Sequence, residues 1–69
     1  MTNLKIEIER ESDGRWIAEV PELPGALVYG ATREEAVFKV KALALRAIAD
    51  RMEHGEAVPS VDDVFSVAV

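Results

Sequence analysis

The run DGRWIAEVPELPGALVYGATREEA, from Asp13 to Ala36, decides how this chain folds. It sets a turn, a strand, a proline-bounded corner, a second strand and a helix start end to end, with no linker between them. Asp13-Gly14 closes a turn that begins at Glu11, because Asp-Gly is favoured where a hairpin needs positive φ. Arg15 to Val20 then alternates, with Trp16, Ala18 and Val20 on one face and Arg15, Ile17 and Glu19 on the other, the period-2 pattern of a strand. Pro21, Pro24 and Gly25 stop the ladder. Each proline lacks an N–H and holds its predecessor extended, and Gly25 lets the backbone reverse. Ala26 to Gly30 follows as a short apolar strand with Tyr29 near its end. Thr32 can then accept from the N–H three residues on while Glu35 reaches back, a capping box that opens a helix.

The flanks complete the pattern. Upstream, Leu4, Ile6 and Ile8 alternate with Lys5, Glu7 and Glu9, a half-buried strand that should pair with the next one as a hairpin. Downstream, Arg33 to about His54 contains neither Pro nor Gly, and Gly55 stands where a left-handed residue would end a helix. Ala36, Val40, Leu43, Ala44, Ala47 and Ile48 recur at three- and four-residue steps and predict the face laid on the sheet. Phe38, Leu45, Ala49 and Met52 widen the apolar arc beyond what one small sheet needs, which predicts a second contact surface towards another subunit. Glu56 to Ser60 is a loop, and Val61 to Val69 a last strand. Being apolar on both faces, that strand is expected to be central or covered by a partner.

The order is thus β-β-β-α-β. It predicts a single α+β domain over residues 1–69, a mixed four-stranded sheet whose last strand runs parallel to its first through a right-handed crossover, with one long helix on one face. The other face combines Lys5, Glu7, Glu9 and Glu19 with Ile17, Leu27 and Tyr29, and Phe65, Val67 and Val69 are candidates to join them. Part of that face is expected to be buried by association.

Composition narrows the function classes. A chain of 69 residues is short for a self-sufficient core, since a domain of that size buries only about 60% of the surface its unfolded chain exposes. With no cysteine and one histidine there is no disulfide framework, thiolate site or histidine cluster. Association is therefore the expected supplement, at least a dimer. The lack of cysteine fits a reducing compartment, and no leader or membrane-length apolar run is visible, so a cytoplasmic protein is expected. A formal net charge of −5 argues against direct nucleic-acid binding and suits a basic protein partner.

At this point the residues match something known. The "D-G-R-W…P-E-L-P-G" run over 13–25, with its glycine turn and aromatic, and the "G-x-T-x-E-E-A" helix start over 30–36 together resemble the HicB-like antitoxin family, and the likeness covers most of the chain. The resemblance implies a partial ribonuclease H-like fold, oligomerisation as dimer or tetramer, and a role in a toxin–antitoxin system, in which the antitoxin masks a small basic HicA-like ribonuclease. Many members add a C-terminal DNA-binding segment. This sequence ends at Val69 straight after the predicted fourth strand, so a short form without DNA binding is expected.

Candidate chemistry has to be set against plainer readings. Glu7, Glu19, Glu34, Glu35, Asp62 and Asp63 could be scanned for a two-metal site. Ile6, however, holds the inward centre of the first strand, and Glu34 and Glu35 serve a helix N-terminus, where acids are stabilised in any case. No metal, cofactor or catalytic residue is therefore assigned, and residual nuclease activity is the weakest of the readings. His54, the one available base, closes a helix whose dipole suits a cation. Gly14, Trp16, Pro21, Pro24, Gly25, Thr32 and Glu35 are assigned to structure. Glu7, Glu9, Glu19, Glu22 and Tyr29 are the candidate partner-binding residues. The leading expectation is a non-enzymatic, homo-oligomeric antitoxin-like module. Its alternative is an orphan scaffold or small-ligand-binding domain without a toxin.

Overall fold

The structure is a computed structural model that describes residues 4–56 and 65–68. Three antiparallel strands precede one long helix: β1 is Leu4–Arg10, β2 Trp16–Glu19, β3 Leu27–Gly30 and α1 Arg33–Glu53. This is the expected α+β arrangement, with strand ends within a residue of those read from the alternation. A short strand, β4, spans Phe65–Ala68 and pairs parallel with β1, so the sheet order is β3-β2-β1-β4. The remainder of the strand expected over residues 61–69 lies outside the described residues.

β4 forms an edge of the sheet, so of the two alternatives expected for it, central or covered by a partner, the central one does not hold. Its parallel register pairs Val67 with Ile6, a core position of β1, and so corrects the expectation that Val67 joins the open face. The candidate Val69 lies outside the described residues. Apolarity on both faces alone could not separate an edge from a centre.

The turns explain why the strands meet as they do. In the hairpin, Gly14 takes φ +91°, its N–H donates to the Glu11 carbonyl at 3.0 Å, and the Glu11 N–H donates to the Arg15 carbonyl at 2.7 Å. Asp13 accepts from the Arg15 N–H at 3.0 Å and from its Nε at 2.8 Å. The backbone bond from Arg15, helped by its guanidinium, holds the Asp13 carboxyl below its ordinary value. The corner is two turns in tandem. The Leu23 N–H donates to Val20, and the Ala26 N–H donates to Leu23, each at 3.0 Å, with Pro21 and Pro24 as the second residue of each turn. Gly25, at φ +90°, supplies the left-handed third residue that a type II turn requires. Leu23, between the two turns, swings into the core and is buried.

The helix ends behave as local chemistry dictates. Thr32 accepts from the Glu35 N–H at 3.0 Å. Glu35 reaches back one residue beyond the cap, to the Ala31 N–H. At the other end Gly55, at φ +72°, donates to Met52 at 3.1 Å and Glu56 donates to Arg51 at 2.8 Å, the paired bonds of a Schellman motif. His54 is the C-cap, its Nδ1 2.7 Å from the Asp50 carbonyl oxygen.

One side of the sheet and one side of α1 make the core. Leu4, Ile6, Ala18 and Val20 meet Ala36, Val40, Ala44 and Ile48, with Leu23 and Ala26 closing one end. The helix lies chiefly across β3 and β2. Its first turn comes down on Gly30, where an added Cβ would stand 2.6 Å from the Ala36 nitrogen. Among the described residues no helix is long and apolar enough to cross a membrane.

Candidate functional site

The face of the sheet turned away from α1 is uncovered, and the register sorts its side chains into two rows. Across one row Leu27 pairs with Glu19 and Glu19 with Glu7. Across the next, Tyr29 pairs with Ile17 and Ile17 with Glu9. Each row therefore runs from apolar at the β3 edge to acidic at β1. The apolar end is wet, with Leu27 and Tyr29 each 42% exposed. A shallow cavity of about 330 Å³ lies over the acidic end, lined by Glu7, Ile8, Glu9, Ile17 and Glu19.

Glu7 and Glu19 are direct cross-strand partners on this face. Like charges set opposite one another weaken a strand pair, by up to about 1 kcal/mol. Among the described residues neither carboxylate, nor that of Glu9, has a basic side chain within ion-pair distance. The arrangement thus presents three carboxylates without an ion-pair partner among the described residues beside an apolar shelf, suited to guanidinium or ammonium groups with apolar stems. Arg15 borders the shelf. Its guanidinium stacks over the Tyr29 ring at 4.4 Å while pairing with Asp13, which orients the phenol at the rim.

Of the five residues singled out for partner contact, the structure brings Glu7, Glu9, Glu19 and Tyr29 onto this one face. Glu22 stands apart, exposed on the corner after β2. Trp16 is on the other side, half-buried against the core with Arg10 6.0 Å from its ring centre, so it packs and does not present itself. Glu34 and Glu35 belong to the helix start, remote in register from Glu7 and Glu19, while Asp62 and Asp63 lie outside the described residues. Among those described, no three acidic or histidine side chains gather as metal ligands would.

The gradient itself is not legible in the sequence alone. The signal was present in the alternation, Ile17 and Glu19 on β2 against Leu27 and Tyr29 on β3, but the rows appear only once the register is known.

The chain is 33% identical over 52 residues to a UPF0150 protein of Thermoplasma acidophilum, an alignment that covers 75% of each chain. No family model and no solved structure matches it.

Proposed function

The chain belongs to the UPF0150 family, and from that premise we propose that it is a non-enzymatic, HicB-like antitoxin module whose open sheet face masks a small basic toxin ribonuclease. The observation that carries the reading is the graded face: Glu7, Glu9 and Glu19 unpaired among the described residues, beside the apolar shelf of Leu27 and Tyr29. A ribonuclease that binds RNA must concentrate Lys and Arg on its substrate surface. An acidic face that covers those groups blocks substrate entry without any chemistry of its own, and steers the encounter. The strand and helix order is the one expected of a partial ribonuclease H-like domain, used here as a scaffold in the cytoplasm, where such a toxin acts.

The test is a tagged pull-down from native cytoplasm at low and high salt, repeated with charge-reversed variants. A small basic protein should co-elute, and about 0.5 M salt should weaken the complex, because the Debye length then falls to a few ångström. Glu7→Lys and Glu19→Lys should abolish recovery, while Glu34→Lys at the helix start should leave it intact. Recovery that ignores both salt and the sheet-face reversals would sink the reading.

The cavity over Glu7, Glu9 and Glu19 supports a second reading, an orphan domain that takes a small cationic ligand. It predicts no protein in the pull-down, together with a thermal shift on adding a polyamine that Glu19→Lys removes.

A further inference from the structure

The outer side of α1 carries apolar side chains that a single copy leaves in water. Phe38 is 75% exposed, Leu45 50% and Met52 58%. They recur every seven residues, and at 100° per residue they fall within about 40° of one another, one straight seam along the helix. Ala42 and Ala49 continue that seam four residues after Phe38 and Leu45, small enough to let another backbone approach. The residues of α1 that the sheet buries are Ala36, Val40, Ala44 and Ile48, so the seam has no use within the monomer. Rows of this kind mark association surfaces.

We propose that this seam joins two copies of the chain, with their α1 helices packed antiparallel about a two-fold axis at Leu45. Leu45 then meets itself, and Phe38 meets Met52 of the second copy, a sulfur–aromatic contact. The flanking charges support both the partner and the direction. Lys39 and Glu53 lie on the same flank of the seam, to either side of Leu45. Reversing one helix about Leu45 brings each Lys39 level, to about 3 Å along the axis, with Glu53 of the second copy. Two opposite-charge pairs result. Arg46, beside the axis, faces its own copy, and its long stem lets that guanidinium turn to water. A parallel pair would instead offset its Glu34–Lys39 attractions with two Lys41–Arg46 repulsions. The seam is about 21 Å long and buries on the order of 1,000 Å² in total, which places the dimer among small interfaces of micromolar strength. It lies on the opposite side of the molecule from the acidic sheet face, so the dimer stands whatever occupies that face.

Sedimentation of the untagged chain from about 1 to about 100 µM should show a concentration-dependent monomer–dimer transition, the range in which so small an interface is populated. Leu45→Lys, which alters a side chain half in water already, should weaken the dimer at least about tenfold while the circular dichroism stays unchanged. Lys39→Glu and Glu53→Lys should each weaken it several-fold, and the double exchange should restore it. Because the chain has no cysteine of its own, Leu45→Cys should cross-link to itself on oxidation. A wild-type monomer at the highest concentration, or a dimer that survives Leu45→Lys, would overturn the proposal. A double exchange no tighter than the single variants would overturn the antiparallel register.

Discussion

The two faces of the sheet are cut from the same strands and obey opposite rules. Under the helix, Leu4, Ile6, Ala18 and Val20 are buried, and no polar or charged residue is buried with them among the described residues. On the far side, one residue along each strand, Glu7 faces Glu19 and Ile17 stands between Glu9 and Tyr29. The first arrangement lowers the free energy of the fold, and the second raises it through a like-charge pair. A surface under no demand but solubility would separate those carboxylates or seat a lysine between them. Packing accounts for the covered face, and the proposed basic partner would account for the open one.

The comparison can be broken hardest at the corner. Leu23 lies in a turn by sequence but in the core by burial, being 2% exposed. Leu23→Ala should destabilise the fold by about 3 kcal/mol, the usual cost of emptying a buried leucine site. Leu27→Ala, on the open face, should cost less than about 1 kcal/mol. Urea unfolding of the two variants side by side measures the contrast, and equal losses would mean that the corner does not belong to the covered side. Gly30→Ala comes next. The added methyl meets the backbone of Ala36, which cannot yield as a side chain would, so about 2 kcal/mol should be lost, read as a lower unfolding midpoint with unchanged slope.

Why some of this was legible and some was not follows from the range of the forces involved. Thr32, Gly14, Gly25 and Gly55 were readable because caps and turns are decided within a few residues of chain, and each stands where its local chemistry placed it. The alternation of β1 and β2 was readable for the same reason. Leu23 was not, because Pro21 and Pro24 mark a turn without saying which way the residue between them points. Gly30 read as a strand end, yet its missing side chain is what admits the first turn of α1, a tertiary contact that no local pattern carries. The edge position of β4 and the graded rows of the open face depend on register between strands distant in sequence. The alternation marks the acids of the candidate site singly, and only the pairing shows that two of them oppose each other.

That opposition gives the smallest effect on stability and the sharpest test of the contrast. Replacing Glu19 by lysine sets an ammonium across from the Glu7 carboxylate and turns a cross-strand repulsion into an attraction. The change should stabilise the isolated protein by about 0.5 kcal/mol, most clearly at low ionic strength, where exposed charges are least screened. If the open face exists to hold a basic partner, the same substitution should abolish that binding, so stability and binding move in opposite directions. An open face shaped only by solubility predicts the stability gain with no binding to lose. A covered face, by contrast, cannot show this split, because any change there that weakens packing lowers both together. Thermal midpoints at low and high salt, taken beside partner recovery for wild type, Glu19→Lys and Glu7→Lys, which sets the lysine on the opposite strand of the same pair, would show whether the charge pair itself or either residue alone governs the effect.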